Sequence, residues 1–143
     1  MRNPKKILII IQRSNGDVFL SLSLIKKLYE NFRPVQIDLL VNDDTLSVGK
    51  LLPHVDKIIT FSYSQKQKNR LKQERSLISS IFRKYDLSIN LTASDRSVIY
   101  AILSGRKSIS AIEKNYYKSW WKRIFINYCY YYDSSNYYWC YCY

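Results

Sequence analysis

The chain is poor in the residues that build nucleotide cradles, metal centres and membrane spans. It holds three glycines, three prolines and one histidine in 143 residues. A dinucleotide fingerprint needs three spaced glycines: one to turn, one to admit the pyrophosphate and one to pack helix on strand. The turn after the first apolar run, Gln12-Arg13-Ser14-Asn15-Gly16-Asp17, has Gly16 alone. Asn15 and Asp17 would crowd a pyrophosphate there, and the Asp17 charge would repel it. No Gly-Lys-Ser/Thr occurs, which excludes a phosphate-loop NTPase. The cysteines are Cys129, Cys140 and Cys142, with no Cys-x-x-Cys pair and only His54 far away. That is a poor metal site and a poor disulfide framework. No apolar run approaches the roughly 18 to 20 residues of a transmembrane helix. Ile7 to Ile11 is too short for a signal-peptide core. The expectation is a cytoplasmic protein.

What the chain has in excess is positive charge. The formal net charge is +12, and residues 1–123, with all 23 basic and 10 of the 11 acidic residues, carry +13. Such a surface favours an anionic partner: nucleic acid, phosphorylated glycolipid or an anionic membrane face. It does not choose among them, and a merely solvated basic surface has the same composition. An apolar content of 47% excludes a wholly disordered chain.

Hydrophobic patterning predicts five strands alternating with helices. Lys5 to Ile11 is a β-branched run, the mark of a strand buried on both faces. Val18, Leu22, Ile25, Leu28 or Tyr29, and Phe32 recur at helical spacing, and Pro34 stops the helix. Gln36 to Val41 is the second strand. Asp43 or Asp44 can cap a short helix from Thr45 to Leu52. Val55 to Phe61 is the third strand. Gln65 to Tyr85 reads as a long basic helix with Leu71, Leu77, Ile78, Ile81 and Phe82 inward. Asp86 to Leu91 is the fourth strand. Ser94 or Asp95 caps a helix to about Ser104, and Gly105 suits a left-handed C-terminal cap. Lys107 to Ile112 is a fifth strand. This alternation predicts an α/β fold, a Rossmann-like parallel sheet with right-handed crossovers and helices on both faces. Ligands of such sheets bind at the carboxyl ends of the strands.

The tail differs in kind. Residues 127–143, NYCYYYDSSNYYWCYCY, contain no Lys, Arg, Gly, Pro, Leu or Val, and ten of the fourteen tyrosines fall at or after Tyr116. No helical or strand period accounts for the segment. The sequence therefore divides into a Rossmann-like domain, 1–115, and an aromatic, low-complexity tail, 116–143. An aromatic membrane-surface or stacking segment is one reading of the tail. An aberrant or truncated continuation is the one favoured, because charge and turn residues stop so abruptly.

The opening turn puts a carboxylate at a helix start on the ligand edge of the sheet. Asp17 could simply be a first-turn acid favoured by the helix dipole, worth about 0.3–1 kcal/mol. It could also be a general base facing a cleft, able to take a proton from a hydroxyl.

The ordered set ILIIIQRSNGDVFLSLSLIKKL, IDLLVN, PHVDKIITF and YDLSINL resembles the N-terminal half of glycosyltransferase family 9, the lipopolysaccharide heptosyltransferases. Arg13, Gly16 and Asp17 match that family's Arg-x-x-x-Gly-Asp turn. YDLSINL followed by Arg96-Ser97 matches a later strand and turn. The likeness covers about residues 5 to 112. It implies a GT-B fold, with the acceptor on the N-terminal domain and the nucleotide sugar, ADP-heptose in the best-known members, on the C-terminal one. By position it implies Asp17 as the base of an inverting transfer that needs no metal and no further cofactor. It makes Arg13, Ser14, Asn15 and Arg96 acceptor-side candidates, the arginines being suited to phosphates or sugar-acid carboxylates. The implied partner is an anionic glycolipid, the lipopolysaccharide inner core, reached by peripheral contact with the inner membrane. Ser23 stands where the family usually has proline, and Ser110 where its fifth strand usually ends in glycine. The donor domain has no counterpart here, so the resemblance predicts a fragment with little or no turnover alone, or one completed by a separate donor-domain chain. The alternative is a non-enzymatic basic α/β module that binds RNA or an anionic membrane. Its requirement for aromatics interleaved with the basic residues of 65–84 is poorly met, which makes nucleic acid the weaker partner. An oxidoreductase is disfavoured by the single-glycine turn.

Overall fold

The computed structural model describes residues 3–113 and 116–132. Six strands, β1 (Lys6–Ile11), β2 (Gln36–Asn42), β3 (Lys57–Phe61), β4 (Tyr85–Asn90), β5 (Gly105–Glu113) and β6 (Tyr128–Tyr132), form one sheet in the order β3-β2-β1-β4-β5-β6. Every neighbouring pair is parallel. The order reverses at β1, which sits between β2 and β4. The crevice outside the carboxyl ends of β1 and β4 is the ligand position of such a sheet. The expected Rossmann-like α/β fold is the one found.

Alternation along the strands gives the sheet two unlike faces. Ile7, Ile9 and Ile11 of β1, Ile37, Leu39 and Val41 of β2, and Ile89 of β4 point to the first face. There they meet α1 (Asn15–Leu20) and α2 (Leu22–Asn31) through Val18, Ile25 and Leu28. A 3-10 turn (Asp43–Thr45) and α3 (Leu46–Gly49) follow β2, and Gly49 lets α3 approach Leu39 and Ile58. The second face carries Leu8, Ile10, Leu40 and Phe61, covered by Leu77 and Ile81 of α4 (Tyr63–Ile81) and by Tyr100 and Ala101 of α5 (Asp95–Ser104). Polar residues are set among them. Asp38 is buried and accepts from the Tyr85 hydroxyl at 2.7 Å, and Ser88 Oγ donates to Ala101 O at 2.6 Å.

Several elements depart from the sequence expectation. The helix predicted from Val18 to Phe32 starts at Asn15 and is interrupted at Ser21, whose Oγ donates to Val18 O at 2.6 Å and tightens the turn. The basic helix ends at Ile81, so Tyr85 opens β4 instead of closing a helix. Leu71 and Phe82 do not point inward; they are 79% and 51% exposed. Gly105 is not a left-handed cap, because its backbone is extended (φ −104°, ψ 151°). Glycine is required there by close approach: a Cβ would lie 2.6 Å from Lys107 O and 2.7 Å from Ser88 Oγ. The sheet also runs on past residue 115. Helix α6 (Tyr116–Phe125) leads to β6, and Ile126 packs with Val98 and Ile112. Asn127 fixes the junction, accepting from Ser108 N at 2.8 Å and donating its own N–H to Ser108 O at 3.1 Å. The rest of the expected tail, 133–143, lies outside the described residues.

Candidate functional site

The turn between β1 and α1 is built by a local cap. Ser14 has extended backbone and is the N-cap of α1; its Oγ accepts from Asp17 N at 3.5 Å and donates to Asp17 Oδ2 at 2.8 Å. Arg13 Nε lies 3.3 Å from the same Oδ2, with both side chains about 40% exposed. Three of the sequence candidates, Arg13, Ser14 and Asp17, are thus one cluster at the carboxyl edge of β1. Asn15 is the first residue of α1 and is exposed.

Arg96 is held elsewhere. Its Nε pairs with Glu74 Oε1 at 3.2 Å, and its guanidinium stacks over the Phe61 ring at 4.8 Å. The Tyr100 hydroxyl donates to the other Glu74 oxygen. The arginine therefore joins α5 to α4 on the second face. Sequence spacing could not show this, because the pairing depends on how two helices pack.

The turn from β4 to α5 is the other wall of the crevice. Asn90, buried, is its organiser. Its Nδ2 lies 2.7 Å from Thr92 O, 3.1 Å from Ser97 Oγ and 2.8 Å from Ser110 Oγ, while its Oδ1 accepts from Thr92 N at 3.0 Å. Ser94 caps α5 by accepting from Ser97 N at 3.2 Å. The two walls are tied directly: Gln12 N donates to Thr92 Oγ1 at 2.9 Å. Asn90, Thr92 and Ser97 were not singled out as site residues. The available signal was the alternation of Ser88 and Asn90 with Ile89 in YDLSIN, which marks one polar face.

Among the described residues, three buried side-chain atoms lack a hydrogen-bond partner: Gln12 Nε2, Asn42 Oδ1 and Gln73 Oε1. Gln12 and Asn42 lie at the same edge, each just past the aligned pair Ile11 and Val41. No group of three or more His, Cys, Asp or Glu side chains converges among the described residues, and no described helix is long and apolar enough to cross a membrane. The arrangement supplies a fixed carboxylate, an adjacent guanidinium and a hydroxyl at the reversal point of a parallel sheet. Such a set can accept a proton from a bound hydroxyl and hold an anionic group beside it.

No family model and no curated protein matches the chain. Solved structures do. The glycosyl transferase family 9 from Veillonella parvula DSM 2008 superposes with a TM-score of 0.71 at 18% identity, covering 90% of this chain and 35% of that one. E. coli ADP-heptose lps heptosyltransferase II gives 0.65 at 20% identity, covering 91% of this chain and 36% of its own. The likeness is to heptosyltransferases. E. coli heptosyltransferase WaaC with ADP adds a TM-score of 0.64 at 16% identity over 74% of this chain. At these identities what is shared is the fold. The chain spans about a third of the length of each of these structures.

Proposed function

We propose that this chain is the acceptor-side domain of a heptosyltransferase-like glycosyltransferase, with Asp17 as general base. The observation that carries the reading is the position of Asp17. It lies in the first turn of α1 at the carboxyl edge of β1, where the strand order reverses, in a fold shared with a protein solved with ADP and with ADP-2-deoxy-2-fluoro heptose. In this reaction an acceptor hydroxyl gives its proton to the Asp17 carboxylate. The oxygen attacks the anomeric carbon of a nucleotide sugar of the ADP-heptose type. The bond to the diphosphate breaks on the opposite side, the nucleoside diphosphate leaves, and the configuration inverts.

Arg13 and Ser14 have two duties. Without acceptor they hold the carboxylate in one place. An anionic acceptor, such as the phosphorylated or carboxylated sugars of a lipopolysaccharide core, competes with Asp17 for Arg13 and loosens that hold on the carboxylate that acts as base, while Ser14 keeps it in place. Asn15 flanks the same entrance. Arg96 adds charge to the acceptor only by leaving Glu74. The basic surface suits work at the cytoplasmic face of an inner membrane, where such glycolipids are built.

The test is a transfer assay. The chain alone shows no detectable transfer from ADP-heptose, because a lone acceptor-side domain lacks the contacts that stabilise the leaving diphosphate. With a donor domain supplied as a second chain, transfer appears, and Asp17→Asn lowers it by about 10²–10⁴-fold. Turnover by the chain alone overturns the acceptor-side assignment. Transfer that survives Asp17→Asn overturns the base.

A further inference from the structure

Lys122 of α6 takes no part in the Asp17 cluster, yet it is anchored to the same edge of the sheet. It is 2% exposed, and lysine is almost never buried without a partner. Its Nζ lies 2.6 Å from Asp95 Oδ1, while the Asp95 side chain is 73% exposed. The carboxylate therefore keeps much of its water while it anchors the ammonium, so the pair avoids the cost of burying both charges. Helical side chains lean toward the N-terminus of their own helix. Helix α6 leaves β5 at the carboxyl edge, so this lean carries the ammonium back to that edge, where α5 begins.

Asp95 stands between Ser94, the cap of α5, and Arg96. Two residues earlier than the cap, Thr92 accepts the Gln12 N–H, and Gln12 runs straight into the turn of Arg13, Ser14 and Asp17. A continuous set of contacts thus joins α6 to the Asp17 turn. We propose that Lys122 is a positioning residue for this site: its ammonium holds Asp95, and with it the Thr92–Arg96 turn that braces the Asp17 turn. The proposal rests on reading the Asp17 turn as the acceptor site. The segment 116–127 would then be part of the site's support and not an appendage.

Amide hydrogen exchange on the full chain, read by NMR, tests it. Lys122→Met removes the ammonium and keeps most of the apolar volume. The Gln12 and Ser97 amides, which donate to Thr92 Oγ1 and Ser94 Oγ, should exchange about tenfold faster. The Ile37 amide, which donates to Asp56 Oδ2 at the far edge, should not change. Lys122→Arg should restore the slow pattern. Asp95→Ala, a change at an exposed residue, should reproduce the fast one and carries the test if Lys122→Met does not fold. Equal acceleration of Ile37, or no change at Gln12 and Ser97, overturns the proposal. Because the readout does not use sugar transfer, failure of Asp17 as base leaves this result intact.

Discussion

The two faces of the sheet solve different problems. Under α1 and α2 the strands present Ile7, Ile9, Ile11, Ile37, Leu39, Val41 and Ile89, an aliphatic surface without a polar atom in its side chains. Under α4 and α5 the same strands interleave Leu8, Ile10 and Leu40 with Asp38, Ser88 and Asn90. The first face holds the sheet together by area alone, at about 1.5–3 kcal/mol per fully buried side chain. It is indifferent to detail. The second face gives up some of that area for directed hydrogen bonds that fix where the turns after β4 and β1 stand. Position at the ligand edge therefore comes from the polar face, and cohesion comes from the aliphatic one.

The sharpest way to break that contrast is to make matched substitutions on the two faces. Asn90→Leu removes one hydrogen bond each from Thr92 O, Ser97 Oγ and Ser110 Oγ and takes the Asn90 Oδ1 partner from the buried Thr92 N–H, and should cost about 3 kcal/mol. Ile9→Val, equally buried on the other face, should cost about 1 kcal/mol. Urea unfolding measures both, and equal losses would erase the distinction. A smaller effect, about 2 kcal/mol, is expected for Gly105→Ala, whose Cβ would strike the Lys107 carbonyl and Ser88, both part of the sheet backbone or its hydrogen-bonded lining. Its unfolding midpoint should fall by more than that of Gly16→Ala, where only Ser14 Oγ at 3.8 Å is near.

A change of about 1 kcal/mol is expected for Tyr85→Phe, which leaves Asp38 with Gln36 Nε2 at 3.1 Å and the more distant Lys6. Burial first, then the hydrogen bond to Asp38 and its charge, push the Tyr85 hydroxyl well above the usual tyrosine range. The folded chain thus keeps this proton at a pH where the unfolded chain, titrating near about 10, has lost it. Stability should fall as pH rises above that value, and Tyr85→Phe should flatten the fall. An identical alkaline slope in both proteins would remove Tyr85 from the account.

The first five strands were legible because β-branched runs such as KILIII and QIDLLV can be little else in a chain this rich in alternation. The start of α1 was not, since Ser14 as cap and Ser14 as site residue look alike until the backbone is seen. Leu71 shows the limit of periodicity: it falls on a helical repeat but is exposed, and among the described side chains α4 meets the core through Leu77, Ile78 and Ile81. Tyr-rich β6 was invisible because tyrosine fills both parities of the strand and leaves no alternation. Within the site, Arg13, Ser14 and Asp17 were readable as neighbours because three- and four-residue spacing on a helix start makes them so. The tie of Gln12 to Thr92, and of Arg96 to Glu74, depends on the packing of segments far apart in the chain.

That separation matters for how the molecule is made. Gln12 and Thr92 are 80 residues apart. At ribosomal rates of about 5–20 residues per second, the Asp17 turn waits roughly 4–16 s after synthesis before its brace exists. Throughout that interval β1 can pair with β2 on one side, but the edge that β4 will occupy stays open, lined by isoleucines. The nascent chain is then most exposed to mispairing or to capture by a chaperone. The Asp17 turn is thus translated well before the strand that secures it.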